Sequence, residues 1–218
     1  MTFAPLREAL RTALAECGGD RDAAHDLAHA DRVWANARAI ATGEGMAPTR
    51  VLLCAAYLHD LVTLPKDHPD RARAAALSAE ASGPILTALG LAPEEIAASA
   101  HAIAAHSYSG GVAPRTPEAA ILRDADRLEA LGAIGIARCF AVSAALGRPL
   151  FDGADPFAAT RPVDDRAFAL DHFAVKLLKL PETFLTTTGR RMAEARAATM
   201  HRYLAELATE LGQPAPDW

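Results

Sequence analysis

The stretch VLLCAAYLHD at residues 51–60 joins an apolar run to a histidine and an aspartate. Pro48 suits the first turn of a helix and Pro65 breaks the chain beyond it, so we expect this helix to carry His59 and Asp60 near its C-terminal end. Burying ionisable side chains without a partner is costly, and a metal ion is one of the few partners that offsets that cost. The stretch therefore predicts a buried helix that presents two metal ligands.

Two further apolar-flanked segments supply matching side chains. His29 lies in HDLAHADRV at 25–33, and Asp126 lies in RDADRL at 123–128. Mixed nitrogen and oxygen donors without cysteine suit Mn²⁺, Fe²⁺, Co²⁺, Ni²⁺ or Zn²⁺ more than Ca²⁺. We expect one divalent ion, manganese before the others and Mg²⁺ also possible, bound by His29, His59, Asp60 and Asp126. Asp60 is at the same time a candidate catalytic residue.

The composition of the 218-residue chain favours helix nearly everywhere, because alanine, leucine and arginine dominate and β-branched residues are scattered. We predict a single compact all-α domain, with a core at about 22–140 and C-terminal helices at about 164–211 packed on it. Proline and glycine at 147–162 predict a long surface loop or lid. The predicted helices cover about 6–17, 22–42, 51–61, 70–89 and 93–106, a helix from 117 that bears Asp126, and about 164–179 and 190–211.

Charge and cysteine content narrow the class of protein. A net charge of -5 argues against a duplex nucleic acid partner, which would favour a basic face. The three cysteines are odd in number and widely spaced, so they predict no disulfide framework and a reducing compartment. With no signal peptide or transmembrane run in view, we expect a cytoplasmic protein that does not bind membranes. The oligomeric state is open at this stage.

The pattern formed by His29, the pair His59-Asp60 and Asp126 resembles the signature of the HD-domain superfamily of metal-dependent phosphohydrolases. The segments LHDLVTLPKD at 58–67, DADRLEALGAIGIAR at 124–138 and HFAVKLL at 172–178 are similar to one branch of it, the small bacterial hydrolases related to nucleoside-triphosphate pyrophosphohydrolases. This resemblance implies an HD-type helical fold. It also implies a nucleotide substrate, a nucleoside or deoxynucleoside triphosphate that is cut to a monophosphate and pyrophosphate.

Several other side chains are candidates for contacts with such a substrate. His106, at a predicted helix end, could shuttle a proton or donate to a developing oxyanion, although a histidine that merely faces a loop is an equal interpretation. Tyr108 is the aromatic residue best placed to touch a base. Candidate cations for phosphate charge, each with a solvated or helix-bridging alternative, are Lys66 (also a catalytic candidate), Arg71, Arg127 and Lys176.

Other functions stay open at the level of sequence. The chain contains neither GxGxxG nor GxxxxGK[ST], so phosphate would have to be held by the metal and by side-chain cations. The same site could serve a phosphatase or phosphodiesterase acting on a 5′-monophosphate, a cyclic nucleotide or an alarmone. A non-catalytic nucleotide-sensing module is a further alternative, against which the intact ligand set weighs.

Overall fold

The computed structural model describes residues 3–17, 27–64 and 68–218, and the chain divides into two compact units, 1–126 and 127–218. All regular elements in these described ranges are helical, so the predicted all-α class is confirmed. No single helix in the same ranges is long and apolar enough to cross a membrane; only the consecutive segments 117–130 and 132–145, counted together, meet that length and composition. The packing of the C-terminal helices on a single core stays a prediction.

The first unit is built around one short buried helix. Its elements are α1 (Ala4–Glu16), α2 (Leu27–Gly43), α3 (Arg50–Leu58), α4 (Ala74–Ala88), α5 (Pro93–His106) and α6 (Pro117–Arg127), whose last residue begins the second unit. Every residue of α3 from Leu52 to Leu58 is buried, and α3 packs against α1, α2, α4 and α5. The apolar run that ends at His59 is therefore the centre of this unit.

Both ends of α3 differ from the prediction. Thr49 is the N-cap and its hydroxyl accepts a hydrogen bond from the Leu52 amide at 3.1 Å, so Pro48 lies before the helix and not in its first turn. At the other end, the Leu61 amide donates to the Leu58 carbonyl at 3.2 Å, a tighter turn than an α-helix makes. The helix consequently stops at Leu58 instead of Leu61, and Asp60 lies in the turn after it.

A polar network ties α1 to α2 and α3. The Arg7 guanidinium donates to the Tyr57 hydroxyl and to the Asp31 carboxylate, both at 2.7 Å, and Arg11 and the Tyr57 hydroxyl also donate to Asp31. Burial raises the pKa of Asp31, but the bonds from Arg11, Tyr57 and Arg7 lower it to about 2. Asp31 lies two residues after His29, so this network fixes the part of α2 that carries that histidine.

The second unit contains α7 (Gly132–Ala145), α8 (Asp171–Val175) and α9 (Thr187–Glu210), with 3₁₀ turns at Leu128–Ala130 and Leu177–Thr183. The prediction of a helix at 164–179 is wrong. The amides of Ala167 and Phe168 both donate to the Asp164 carbonyl in a closed turn, and α8 ends where Lys176 leaves helical geometry with φ −134°. The composition favoured helix, but the Asp164 carboxylate accepts from the Arg166 amide and the Asp171 carboxylate accepts from the Asp164 amide, and such side-chain acceptors compete with helical hydrogen bonds.

The connection between α7 and α8 is held by two aspartates. The Asp155 carboxylate accepts hydrogen bonds from the amides of Ala159, Thr160 and Arg161 at 2.8–3.1 Å. The Arg161 guanidinium in turn donates twice to Asp171, at 2.6 and 2.8 Å, and Asp171 is only 1% exposed. The long segment predicted at 147–162 is thus a connection with its own internal hydrogen bonds.

Gly135, in the first turn of α7, allows a close backbone approach. A Cβ atom at this position would lie 2.2 Å from the Ala130 carbonyl oxygen, a distance that no side chain tolerates. The glycine lets α7 start directly beside the preceding 3₁₀ turn. Any larger residue here would force the two segments apart.

Candidate metal centre

Four side chains converge within the first unit where α2, the turn after α3 and the end of α6 meet. The His59 Nε2 atom lies 3.3 Å from the His29 Nε2 atom, 3.3 Å from Asp60 Oδ2 and 3.7 Å from Asp126 Oδ1. The His29 Nε2 atom lies 3.5 Å from Asp126 Oδ1 and 3.8 Å from Asp60 Oδ2. The structure therefore brings together all four residues that the sequence predicted as metal ligands.

His106, at the end of α5, also reaches this cluster. Its Nε2 atom lies 3.6 Å from Asp60 Oδ1, and its ring centroid lies 5.0 Å from that of His59. Asp60 thus directs one oxygen toward His29 and His59 and the other toward His106. Two overlapping groups have donor atoms within 4.8 Å of one another: His29, His59 and Asp126, and His59, Asp60 and His106.

The backbone of each helix sets the tautomers of two of the histidines. The Nδ1–H of His59 donates to the Ala56 carbonyl at 3.0 Å, and the Nδ1–H of His106 donates to the Ile103 carbonyl at 2.7 Å. In each neutral ring, the Nε2 atom then carries a lone pair that points into the cluster. Both rings are buried, so their Nε2 atoms are available to a ligand in the cluster and shielded from bulk water.

The electrostatics of the cluster favour positive charge. Burial lowers the pKa of His59, but the carboxylates of Asp60 and Asp126 raise it well above its usual value. Burial likewise raises the pKa of Asp60, and the neighbouring His59 and His106 bring it well below its usual value. The pKa of Asp126 is also lowered, against the effect of burial, mainly through His59. Both carboxylates therefore stay ionised and attract a cation.

The donor set fits one divalent transition ion. Nitrogen and oxygen ligands at about 2.0–2.2 Å from an ion lie about 2.8–3.6 Å from one another, close to the 3.3–3.8 Å observed between the four donor atoms. The two Nε2 atoms that face each other at 3.3 Å are close enough to share a proton or to bind one cation together. The Asp60 and Asp126 side chains are 25% and 28% exposed, so the cluster is open on its carboxylate side.

Sequence reasoning missed the residues that hold these ligands in place. The buried Asn36 amide on α2 donates to the Ala125 carbonyl on α6 at 3.2 Å, next to Asp126. Tyr57, two residues before His59, donates to Asp31 on α2. Both contacts join segments far apart in the chain, and the only available signal was a polar residue within an otherwise apolar helix face.

The residues predicted to contact the substrate do not form one group as the four predicted ligands do. Arg71 donates to the Leu64 carbonyl at 2.6 Å, and Arg127 donates to the carbonyl and hydroxyl oxygens of Thr183 at 3.0 and 2.8 Å. Lys176 is exposed and belongs to the second unit. Tyr108 is 80% exposed, two residues after His106. Lys66 lies outside the described residues.

Comparison with known proteins agrees with this geometry. The family model described as HD domain matches residues 26–131, a range that includes all four clustered ligands and His106. The chain is 31% identical over 208 residues to the Bacillus subtilis protein YpgQ, covering 94% of this chain and 93% of that protein. The crystal structure of YpgQ in complex with ADP has a TM-score of 0.73 at 30% identity, covering 96% of this chain and 97% of that one. An HD-superfamily hydrolase from Bacillus thuringiensis has a TM-score of 0.74 at 29% identity, covering 98% and 100%.

Proposed function

The chain belongs to the HD-domain superfamily and is a metal-dependent phosphohydrolase, and from this premise we propose that its substrate is a nucleoside triphosphate. The proposed reaction is attack by water at the α-phosphorus, which breaks the bond from that phosphorus to the α,β-bridging oxygen and yields a nucleoside monophosphate and pyrophosphate. The observation that carries the proposal is the buried, carboxylate-open cluster of donor atoms with His106 beside it. A phosphate oxygen can approach such a cluster from the exposed carboxylate side.

We propose His29, His59, Asp60 and Asp126 as the residues that hold the ion, with manganese as the first candidate. A divalent ion held there supplies Lewis acidity to a phosphoryl group. The two carboxylates balance its charge, while the two imidazoles are held by the buried helices that carry them. Four protein donors suit an ion that keeps further positions open for substrate and water.

His106 is the proposed group that moves a proton. Its Nδ1–H is engaged by the Ile103 carbonyl, so proton exchange takes place at Nε2, the atom that lies 3.6 Å from Asp60 Oδ1. Asp60 is shared between the ligand cluster and His106 and can therefore orient this histidine toward the reacting groups. The arrangement is that of a general acid–base residue oriented by a carboxylate.

The nucleotide assignment is supported by the relative that was solved with ADP. YpgQ is similar to this chain over 96% of its length, and its structure in complex with ADP was determined. A site that takes a nucleoside diphosphate in a relative makes a nucleotide the first class of ligand to test here. Monophosphates, cyclic nucleotides and alarmones are competing substrates of the same chemical class, and a nucleotide sensor without turnover is the competing function.

The products decide among these alternatives. Protein loaded with Mn²⁺ is incubated with a panel of nucleoside and deoxynucleoside triphosphates, and the reaction is followed by phosphorus NMR. We expect pyrophosphate and a monophosphate to appear together, with no diphosphate intermediate, and chelator-treated protein to give neither. Orthophosphate as the first product would contradict the proposed bond, and phosphate release from monophosphates alone would favour a phosphatase.

A further inference from the structure

Arg123 on α6 has a half-buried guanidinium that lacks a polar partner. Its Nε atom is buried without a hydrogen-bond acceptor, and across the residues that the structure describes its guanidinium makes no hydrogen bond or ion pair. Its contact is with an aromatic ring: the guanidinium carbon lies 5.9 Å from the centroid of the Tyr108 ring. Buried donors without acceptors are rare in folded proteins, and a bound ligand is one explanation for them.

The position of Arg123 relates it to the metal centre. It precedes Asp126 by three residues on the same helix, so the two side chains lie on the same face of α6. Tyr108 follows His106 by two residues, so the ring that contacts Arg123 belongs to the segment that leaves the metal centre from α5. The pair formed by Arg123 and Tyr108 thus joins the elements that deliver Asp126 and His106.

The charge requirement of the substrate complements this unpartnered cation. A triphosphate whose α-phosphate is at the ion carries a strongly anionic tail that needs further cations to offset its desolvation. Arg71 and Arg127, which the sequence offered for this role, donate instead to oxygen atoms of Leu64 and Thr183. Arg123 makes no such bond within the residues that the structure describes, and a guanidinium matches the geometry of phosphate oxygens in a bidentate manner.

We propose that Arg123 binds the phosphate tail of the nucleotide and that Tyr108 positions its guanidinium through the cation–π contact. This inference rests on the proposed function, because it places a polyphosphate beside the metal centre. Arg123 is then a substrate-binding residue that selects for phosphates beyond the first. Tyr108 is a positioning residue, and its role does not depend on the base of the nucleotide.

Calorimetric titration of Mn²⁺-loaded protein with ADP, AMP and inorganic pyrophosphate tests the proposal. Arg123→Met keeps the aliphatic stem and removes the donors; we expect affinity for ADP and pyrophosphate to fall about 10- to 100-fold and affinity for AMP to change less than about threefold. Arg123→Lys keeps the charge without the fork and should give an intermediate loss for ADP. The matched control is Arg115→Met, at an exposed arginine that follows the Tyr108 loop. Manganese affinity and thermal unfolding of each variant verify that the metal centre and the fold persist.

The role of Tyr108 has its own readout. Tyr108→Phe preserves the ring and should retain wild-type affinity, whereas Tyr108→Ala should weaken pyrophosphate as well as ADP. Loss of ADP affinity with unchanged pyrophosphate affinity would overturn the positioning role and assign the ring to the base.

The proposed reaction and the role of Arg123 can fail separately. Unchanged ADP and pyrophosphate affinity in Arg123→Met, or an equal loss for AMP, overturns the role of Arg123 even if triphosphates are hydrolysed. If triphosphates are not hydrolysed but Arg123→Met still selectively lowers the affinity for ADP and pyrophosphate, the proposed reaction is wrong and the phosphate-binding role of Arg123 is supported. Wild-type protein that binds none of the three ligands overturns both.

Discussion

The metal centre and the connection between α7 and α8 both depend on aspartates, and the two regions surround those carboxylates with different partners. Asp171 receives two hydrogen bonds from Arg161 and one from the Asp164 amide, so its charge is balanced within the protein. Around His59, in contrast, imidazole nitrogens and carboxylate oxygens lie only 3.3–3.8 Å apart, a spacing that suits the ligands of one cation. A buried carboxylate that is balanced by a guanidinium stabilises structure, whereas a cluster of closely spaced ligand atoms indicates a place for a cation.

The largest effect on metal binding and hydrolysis is expected from a substitution in the metal centre. His59→Ala removes a central donor, so Mn²⁺ binding measured by calorimetry and nucleotide hydrolysis should both fall to background. Because the buried apolar residues of α3 pack it against α1, α2, α4 and α5, the variant should remain folded by circular dichroism. His201→Ala, at an exposed position on α9, is the matched control and should behave as wild type. If His59→Ala kept both manganese affinity and turnover, the cluster around His59 would not be the metal centre, and the proposed difference between the two regions would be wrong.

Breaking the pair formed by Arg161 and Asp171 should lower the stability of the protein and leave metal binding unchanged. Arg161→Met leaves the Asp171 carboxylate buried with the loss of its charged partner, and breaking such a pair costs about 3–5 kcal/mol in the free energy of unfolding. Urea unfolding measures this loss, and Arg166→Met at an exposed arginine nearby should cost little. Manganese affinity should stay within about twofold of wild type, since every proposed ligand belongs to the first unit. A parallel fall in manganese affinity would contradict the separation of the two roles.

The smallest expected effect is a pH dependence of the stability that Asp155 contributes to the connection between α7 and α8. The amides of Thr160, Ala159 and Arg161 lower the pKa of Asp155 to about 2. Because the folded-state pKa lies below the unfolded value of about 3.9, the stabilisation is complete above pH 4 and is lost as the pH falls toward 2. The difference in thermal midpoint between wild type and Asp155→Asn should therefore shrink by about half from pH 6 to pH 3. A difference that does not vary with pH would show that the carboxylate charge is not what matters.

The sequence predicted helices best where their ends carry recognisable signals. Pro93 and Pro117 open α5 and α6 at the predicted positions, and Thr116 caps α6 by accepting from the Ala119 amide. The prediction of a helix at 164–179 failed because alanine and leucine content does not reveal that the carboxylates of Asp164 and Asp171 accept hydrogen bonds from backbone amides. Helix propensity is a weak prior that such hydrogen bonds override.

The candidate site likewise contains residues that the sequence could predict and residues that it could not. His29, His59, Asp60 and Asp126 could be grouped from the amino-acid sequence because their pattern resembles a known family. The cations could not be sorted from the sequence. Nothing in it distinguishes an arginine that donates to a carbonyl, such as Arg71, from one that makes no hydrogen bond or ion pair within the described residues, such as Arg123. That distinction depends on which acceptors folding brings within reach.

The hydrogen bonds from His59 and His106 to backbone carbonyls also affect how selectively the centre can bind an ion. Each ring is anchored to the carbonyl three residues earlier in its own chain segment, so its orientation is established when the helix folds. The His59 ring is therefore oriented before an ion binds, and ordering this side chain costs little of the binding free energy. A receptor whose donors are fixed in advance discriminates among ions by size and coordination preference, since it cannot contract or expand around each one. We therefore expect the α3 backbone that orients His59 to contribute to ion selectivity together with the ligands themselves.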